Sequence, residues 1–292
     1  MTRVLVIGAS GLLGTEIAAT LRRRQDIAVV PTSRQRREGW LEFDADGGAE
    51  AVARLLDEAG DPAVVINSAG LLAHEIDARS PESLRLAERV NAEFPRELAR
   101  ETRRRGIRMI HVSTDAVFRA DAGRSFEDDE AFAEDAYGST KRRGEPDEDN
   151  TLVLRCTFVG RDRERRRGLL EWLLGRPPGT SVDGYVDQLW NGLAAAQVAA
   201  VCAAAIDPAL FDRARSEGAV HHLYEDPPLT KHALLVLICG AFGLDVHVAP
   251  RESGMPVTRT LGTRHVVLRQ TLESAPPRAA MLEALAVTSP DP

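Results

Sequence analysis

A tyrosine and a lysine four residues apart are the side chains of this sequence best suited to chemistry. Tyr137-Gly-Ser-Thr-Lys141 contains one of only two lysines in a chain with 37 lysines and arginines in total; the other is Lys231. In a helix this spacing puts both side chains on one face. An ammonium beside a phenol lowers the phenol pKa from its normal value of about 10, which provides a proton donor or acceptor near neutral pH. Because so short a motif often arises by chance, its weight depends on the elements around it.

A glycine-rich turn near the N-terminus provides the first such element. Residues 3–7 form an apolar, β-branched run typical of a buried strand, and residues 15–24 carry the apolar stripe of a helix. Between them, Gly8 permits a tight turn, Gly11 lets the backbone approach a pyrophosphate, and Gly14 lets the helix pack on the strand. The spacing is G-x-x-G-x-x-G, which departs from the standard G-x-G-x-x-G. The flanking strand and helix still favour a dinucleotide site over a plain turn.

The rest of the chain alternates strands with helices. Strands are predicted at 27–30, 41–43, 63–66, 109–112 and 153–154, and helices at 49–59, 81–105 and 137–144. This alternation predicts an α/β fold, a Rossmann-type doubly wound parallel sheet with a smaller C-terminal substrate-binding lobe. Ligands of such sheets bind beyond the carboxyl ends of the strands. Polar or glycine-containing clusters at 8–14, 67–70 and 113–115 all fall there.

Several motifs together resemble an extended short-chain dehydrogenase/reductase, and within it the dTDP-4-dehydrorhamnose reductase family. They are Gly8-Ala-Ser-Gly11-Leu-Leu-Gly14, Val64-Val-Ile-Asn67, Val90-Asn-Ala-Glu-Phe-Pro95, Ser113-Thr-Asp-Ala-Val-Phe118, Tyr137-Gly-Ser-Thr-Lys141-Arg-Arg-Gly-Glu145, Leu154-Arg155 and, more weakly, Val186-Asp-Gln188. The resemblance extends to about residue 240 and is more specific in the N-terminal half.

The resemblance implies roles for four side chains. Tyr137 would protonate the oxygen of a substrate ketone. Lys141 would lower the pKa of Tyr137 and bind the nicotinamide ribose. Thr114 falls where the family places its hydroxyl partner for the carbonyl, and the adjacent Ser113 could share or replace that role. Hydride would come from the nicotinamide cofactor.

The second strand is followed by no acid that could bind the ribose diol of NADH. Arg34 offers a planar fork suited to a 2′-phosphate and Ser33 a hydroxyl, which predicts NADPH with some tolerance of NADH. The alternative is that Arg34, Arg36 and Arg37 form a solvated loop. The full set of predicted cofactor-binding residues is Gly8, Ser10, Gly11, Leu12, Leu13, Gly14, Ser33, Arg34, Asp44, Ala45, Ser68, Ala69, Gly70, Tyr137 and Lys141.

The substrate side departs from the family pattern. Ala116 replaces a bulky residue, and Leu189-Trp-Asn-Gly192 replaces the usual sequence after the Asp-Gln turn. The predicted substrate contacts are Thr114, Asp115, His74, Gln188 and Asn191. A lone loop histidine such as His74 is more often a plain surface residue.

We divide the chain into a dinucleotide-binding domain, residues 1–160, and a mainly substrate-binding lobe, residues 161–292, from which residues 186–206 return to the first domain. The arginine-rich run at 161–167 could hold the substrate pyrophosphate, but a solvated loop is favoured. Lys231 is expected in the first turn of a helix, with no evident catalytic partner. The final Ser289–Pro292 is expected to fray.

Composition favours a cytoplasmic enzyme. The net charge of −7 and the pI of about 5.6 argue against nucleic acid as a partner. The apolar runs are too short for a membrane span, and the strand that begins at residue 3 leaves no room for a signal peptide. Cys156, Cys202 and Cys239 lack metal or disulfide spacing, and we predict no metal. A homodimer is suggested only by analogy with relatives.

The sequence therefore predicts NADPH-dependent reduction of the 4-keto group of a nucleotide-activated 6-deoxysugar, of the dTDP-4-keto-6-deoxyhexose type. One alternative keeps the fold but uses bound NAD for epimerisation or dehydration. The other is a non-catalytic regulatory subunit of the same fold, which the presence of Tyr137, Lys141 and Thr114 disfavours.

Overall fold

The computed structural model describes residues 1–287, and the predicted frayed end, Ser289–Pro292, lies outside them. The strands are β1 (Thr2–Ile7), β2 (Ile27–Ser33), β3 (Leu41–Glu42), β4 (Val64–Asn67), β5 (Arg108–Ser113), β6 (Arg124–Ser125), β7 (Thr151–Arg155), β8 (Phe158–Val159), β9 (Thr180–Tyr185), β10 (Leu189–Trp190), β11 (Leu193–Ala194), β12 (Val220–His222), β13 (Leu229–Thr230), β14 (Val246–Arg251) and β15 (Thr260–Leu261).

The α-helices are α1 (Leu12–Arg22), α2 (Gly48–Glu58), α3 (Pro81–Ala87), α4 (Phe94–Arg104), α5 (Ala136–Arg143), α6 (Leu169–Leu174), α7 (Ala195–Ala204), α8 (Pro208–Glu217), α9 (Lys231–Phe242), α10 (Val267–Glu273) and α11 (Arg278–Val287). Short 3₁₀ turns lie at Ala45–Gly47, Ala73–Glu75 and Asp115–Val117.

Seven parallel strands form the main sheet, in the order β12-β7-β5-β4-β1-β2-β3. The chain begins at β1 in the middle of the sheet, adds β2 and β3 on one side and then adds β4, β5, β7 and β12 on the other. The strand order therefore reverses between β1 and β4, which places the switch point of a doubly wound sheet between their carboxyl ends. The predicted Rossmann-type fold is confirmed. Each predicted strand is present, with bounds that differ by one to three residues.

The sheet is buried on both faces because successive residues of β1 supply two different cores. Val4 and Val6 pack with the apolar faces of α1 and α7, whereas Leu5 and Ile7 pack with α2 and α4. This two-sided burial explains why β1 is continuously apolar rather than alternating.

The helix predicted over 81–105 is present but not uniform. α3 (Pro81–Ala87), a π turn (Glu88–Glu93) and α4 (Phe94–Arg104) follow one another without a gap. π turns are rare and frequently occur at functional sites. Pro95 lies just after the π turn, at the start of α4.

The C-terminal part of the chain contributes to both lobes. A separate apolar cluster joins α6, α9, β9 and β14, while α7 packs on α1 and β12 extends the main sheet beside β7. The segment that joins the first domain thus reaches past residue 206. The division into two domains at residue 160 stays a prediction.

Within residues 1–287, no single helix is long and apolar enough to cross a membrane. The consecutive helices α7 and α8 meet the length and composition criteria only as a pair, with a bend of 105° between them.

Candidate active site

The glycine turn after β1 has the close packing that its sequence predicts. Gly8 has a φ of +79°, and its N–H donates to Thr32 Oγ1 at 3.3 Å. A Cβ at Gly14 would overlap the Gly8 carbonyl oxygen, so the start of α1 packs directly on the turn. A Cβ at Gly11, the N-cap of α1, would meet only that same oxygen, at 3.4 Å, so the space on this side of Gly11 is otherwise open. Leu12 and Leu13 begin the helix. The free N–H groups of this helix start suit a phosphate.

The side chain of Ser10 lies in the same turn and is already engaged. Its Oγ accepts a hydrogen bond of 3.2 Å from Arg165 Nη2, although 155 residues separate the two in sequence. Ser10 is 7% exposed.

The carboxyl ends of β2 and β3 bring together the residues predicted to bind the adenosine end of the cofactor. Ser33 is buried and its Oγ accepts from Gln35 N at 3.1 Å, while Arg34 is exposed. Asp44 is the N-cap of the turn that begins at Ala45, and accepts from Asp46 N at 3.1 Å. These two loops are adjacent because β2 pairs with β3.

The loop after β4 lies beside the glycine turn. Ser68 Oγ donates to the Ile7 carbonyl at 2.8 Å, and Ala69 N donates to Asn67 Oδ1 at 3.1 Å. A Cβ at Gly8 would be 2.8 Å from Ala69 N, so only glycine allows the two loops to approach this closely. Gly70 continues the loop. The residues predicted at the ends of β1 and β4 therefore share one cleft.

Asn91 is a residue of the site to which the sequence analysis assigned no role. It lies in the π turn, is fully buried, accepts from Leu71 N at 2.8 Å and donates to the Leu71 carbonyl at 3.1 Å. Its Nδ2 also reaches Thr140 Oγ1 at 3.4 Å. One side chain thus fixes the loop after β4 to helix α5. The sequence signal that could have identified Asn91 is the Val90-Asn91-Ala92 motif, because an amide buried between apolar residues must find hydrogen-bond partners.

Helix α5 carries both Tyr137 and Lys141 on one face. Asp135 caps it, accepting from Tyr137 N at 3.0 Å and Gly138 N at 2.9 Å. A Cβ at Gly138 would overlap the Ala116 carbonyl, so the helix start rests on the turn that follows β5. This close packing brings the Tyr137 phenol near the Thr114 hydroxyl, whose hydrogen-bonding effect lowers the phenol pKa.

The pKa of Tyr137 moves in the direction opposite to the prediction. Burial raises it to about 12, and the hydrogen bond with Thr114 only partly offsets this rise. The charge of Lys141 is not among the causes of the shift. Its ammonium instead donates to the Val112 carbonyl at 3.1 Å and lies 3.6 Å from the position of a Cβ on Gly70. The phenol therefore stays protonated at neutral pH.

Burial also changes the pKa of Lys141. The side chain is 5% exposed, and loss of water lowers its pKa from 10.5 to about 8, against the opposing effect of the Glu145 carboxylate. Its place next to Gly70 puts a cation at the junction of the loop after β4 and the end of β5.

Ser113 belongs to a buried ionic network rather than to the face that carries Thr114. Its Oγ donates to Glu145 Oε1 at 2.6 Å, and Arg155 donates to both oxygens of Glu145, at 2.9 and 2.8 Å. Arg155 Nη1 also contacts His222 Nε2 at 3.2 Å. Because its hydroxyl is used in this way, the prediction of Ser113 as a group acting on the carbonyl is corrected.

Two cations from the C-terminal half of the chain approach Asp115, which sequence reasoning did not foresee. Arg259 Nε lies 3.5 Å from Asp115 Oδ2. The pKa of Lys231 responds to both charges: burial lowers it, the Asp115 carboxylate raises it and the Arg259 guanidinium lowers it. Its Nζ sits 5.7 Å from the centre of the Trp190 ring. As predicted, Lys231 lies in the first turn of a helix, α9, and within the described residues no hydrogen bond or ion pair holds its ammonium.

Three predicted substrate contacts are placed differently. Asn191 is 2% exposed, and its amide donates to the Leu261 carbonyl at 2.8 Å and accepts from Leu261 N at 3.0 Å. This corrects its prediction as a substrate ligand. Gln188 donates to the Met255 carbonyl at 3.3 Å and is partly exposed. His74 is exposed on a 3₁₀ turn and contacts no group that would orient it, within the part of the chain that the structure describes.

Among residues 1–287, no group of three or more histidine, cysteine, aspartate or glutamate side chains could hold a metal ion. The three cysteines are buried and free.

The whole architecture matches a known family. The family described as "RmlD substrate binding domain" matches residues 1–271. A dTDP-4-dehydrorhamnose reductase of Streptomyces griseus is 40% identical over 146 residues, 49% of this chain and 43% of that protein. A probable dTDP-4,6-dihydroxy-2-methyloxan-3-one 4-ketoreductase of Streptomyces antibioticus is 33% identical over 68% of this chain and 66% of that protein. The alignment thus spans less than two thirds of either relative.

Solved structures resemble the chain over nearly its full length. A dTDP-4-dehydrorhamnose reductase of Clostridium acetobutylicum superposes with a TM-score of 0.77 at 24% identity, covering 98% of this chain and 99% of that one. A dTDP-4-dehydrorhamnose reductase of Bacillus anthracis, in complex with NADP, gives 0.77 at 18% identity and covers 99% and 100%. A UDP-glucuronic acid 4-epimerase of Bacillus cereus, in complex with NAD, gives 0.72 at 16% identity over 98% of both chains. At these identities the likeness concerns the fold.

Proposed function

Because the chain belongs to the RmlD substrate binding domain family, we propose that it reduces the 4-keto group of a nucleotide-activated 6-deoxysugar with NADPH. The observation that carries the proposal is the packing of the start of helix α5 on the turn after β5, which brings Tyr137 near Thr114, with Lys141 one helical turn away beside Gly70. Relatives named as reductases of dTDP-4-dehydrorhamnose and dTDP-4-keto-6-deoxy-D-glucose supply the substrate class.

The residues of the cleft fit a dinucleotide. The packing of Gly14 on Gly8 leaves the N-terminus of α1 facing the turn, and the open side of Gly11 lets a phosphate approach the backbone. The remaining predicted cofactor residues line the ends of β2, β3 and β4. When bound, NADPH supplies the hydride. Arg34 is proposed to hold the 2′-phosphate of NADPH, because its side chain is exposed and is unpaired among the described residues.

Tyr137 is proposed as the proton donor to the ketone oxygen. Its pKa of about 12 keeps the proton on the phenol at neutral pH until negative charge develops on the substrate oxygen. Thr114 lies near the phenol and is proposed to orient the same substrate oxygen. Lys141 contributes a fixed positive charge and a donor for the nicotinamide ribose, since the Val112 carbonyl holds its ammonium in place.

The substrate is proposed to lie between these groups and the C-terminal half of the chain. Asp115 approaches Arg259 and Lys231, so this side of the site combines one acid with two cations. A nucleotide sugar carries both hydroxyls and a diphosphate, and such a mixed set of donors and acceptors can bind both. Gln188 and His74 remain weaker candidates for contacts at its edge.

The test measures loss of absorbance at 340 nm with NADPH and a dTDP-4-keto-6-deoxyhexose, for the native protein and for Tyr137→Phe. Turnover should fall by about a hundredfold or more in the variant, since general acid catalysis contributes roughly 10²–10⁴-fold. NADPH should still bind, because the change removes one hydroxyl. An epimerase would convert a nucleotide sugar without consuming NADPH, and a regulatory subunit would do neither; either result contradicts the proposal.

We also propose a cytoplasmic location and a homodimer. The first follows from the proposed use of NADPH and a nucleotide sugar, and the second from analogy with relatives. Sedimentation equilibrium of the purified chain tests the dimer, which a single monomeric mass would contradict.

A further inference from the structure

The arginine-rich segment between β8 and α6, residues 161–168, is a built structure with a buried base. We call it the arginine strap. Arg161 Nε pairs with Glu171 Oε1 at 2.7 Å, and both side chains are nearly buried. Asp162 is buried as well: its Oδ1 accepts from Arg165 N at 3.1 Å and its carbonyl accepts from Arg166 N at 2.7 Å. The expectation of a solvated loop therefore does not hold for the base.

The outer part of the strap contacts three separate loops of the cofactor cleft. Glu164 pairs with Arg37 after β2, with one contact of 2.9 Å between Nη1 and Oε2. Arg165 Nη2 donates to Ser10 Oγ in the glycine turn after β1. Arg167 Nη1 contacts Glu75 Oε1 at 2.6 Å in the loop after β4. The strap therefore crosses the carboxyl ends of β1, β2 and β4.

Arg165 brings a guanidinium to the turn that is built for phosphate. Ser10 lies between Gly8 and Gly11, whose backbone forms the proposed pyrophosphate site. A guanidinium presents parallel N–H donors that match phosphate oxygens, and it keeps its charge at all physiological pH values. A cation that already hydrogen-bonds this turn is placed to bind an anion on it.

We propose that Arg165 is a ligand of the cofactor pyrophosphate, and that the arginine strap closes over the dinucleotide. The inference rests on the proposed function only in requiring a dinucleotide in the glycine turn. Glu164 and Arg167 hold the strap in position through Arg37 and Glu75. Because these ion pairs are partly exposed and therefore weak, the strap can lift when the cofactor enters or leaves.

The test is a fluorescence titration of NADPH and of NADH into the full chain and two alanine variants, with Arg165→Lys as a third variant for rescue. Arg165→Ala should weaken binding of both cofactors by about tenfold or more, because both contain the pyrophosphate. Arg166→Ala is the matched control: it removes the same charge one residue away, from a side chain that makes no hydrogen bond or ion pair with the described residues. It should change neither affinity by more than about twofold. Arg165→Lys should restore part of the loss.

Three outcomes would overturn the assignment. Equal affinities for the native chain and Arg165→Ala would remove Arg165 from the site. A loss confined to NADPH would make Arg165 a 2′-phosphate ligand. Equal losses in Arg165→Ala and Arg166→Ala would show that binding depends only on the overall positive charge of the strap. These outcomes differ from failure of the proposed function, in which the native chain binds NADPH but reduces no keto sugar. Unchanged thermal unfolding midpoints show that the variants fold.

Discussion

At the scale of single residues, burial shifts the pKa values of the phenol and the ammonium of helix α5 in opposite directions. Burial raises the pKa of Tyr137 to about 12 and lowers that of Lys141 to about 8. Each shift favours the uncharged form, because both groups lose water. The phenol is thus held as an acid, while the ammonium keeps its charge only below about pH 8. The two groups divide the work of proton donation and electrostatic stabilisation.

The buried ammonium of Lys141 predicts a pH dependence of stability. Between pH 8 and 10.5 the unfolded chain keeps this proton longer than the folded chain, so stability should rise with pH across that window relative to a Lys141→Met variant. The gain should be on the order of 3 kcal/mol, at 1.36 kcal/mol per pKa unit. Chemical unfolding of both proteins at several pH values measures it. A constant difference between them would show that the Lys141 pKa is not lowered.

Arg34 should decide between the two nicotinamide cofactors. Its guanidinium is exposed after β2, where only NADPH has a 2′-phosphate to bind. Arg34→Ala should therefore weaken NADPH by about tenfold or more and leave NADH nearly unchanged, as measured by titration. The neighbouring exposed Arg36→Ala is the control for loss of charge. Equal losses for both cofactors in Arg34→Ala would remove the assignment.

At the scale of elements, a buried ionic network joins three strands of the main sheet to the end of helix α5. Ser113 at the end of β5, Glu145 after α5, Arg155 on β7 and His222 on β12 are connected by direct hydrogen bonds. Burial lowers the pKa of His222 to about 4, so Nε2 is free to accept from Arg155. The network fixes α5, and with it Tyr137, against the sheet.

Removal of one partner from this network should be costly. Glu145→Ala leaves the Arg155 guanidinium buried and uncompensated, which typically costs 3–5 kcal/mol. Chemical denaturation should show a loss of this size. Asp26→Ala, which breaks the exposed pair with Arg24, is the control and should leave stability nearly unchanged. A loss for Glu145→Ala as small as the control's would show that the network does not support the fold.

The sequence predicted the elements whose signals are local. The run of β1, the glycine turn and α1 was predictable, because strand, turn and helix lie within 25 residues. The π turn at Glu88–Glu93 within the predicted helix was not, since its residue Asn91 binds a loop 20 residues away. Asn191 and Ser113 look like site residues by position. Their actual partners, Leu261 and Glu145, are set by tertiary packing that no short motif encodes.

At the scale of the whole molecule, the site is assembled from both halves of the chain. Tyr137, Thr114 and Asp115 come from the N-terminal half, and Lys231 and Arg259 from the C-terminal half. The glycine turn lies on the cofactor side of this arrangement. We therefore expect substrate and cofactor binding to be separable by mutation.

Lys231→Met should raise KM for the nucleotide sugar by about tenfold and leave NADPH affinity unchanged. The ammonium lies 5.7 Å from the centre of the Trp190 ring, and its pKa responds to the charges of Asp115 and Arg259. Steady-state kinetics and an NADPH titration measure the two effects. Lys231→Arg keeps the charge and should retain much of the affinity. A parallel loss of NADPH binding would show that Lys231 acts through the fold instead.

The late position of β12 in the chain has a consequence for synthesis. A ribosome adds roughly 5–20 residues per second, so β7 emerges several seconds before Val220–His222 can pair with it. During that interval the unpaired backbone of β7 is an open template for another nascent chain, and Arg155 lacks His222. Any chain truncated between these strands keeps that edge permanently. The last strand to join the sheet is thus also the one that ends the exposure of the β7 edge.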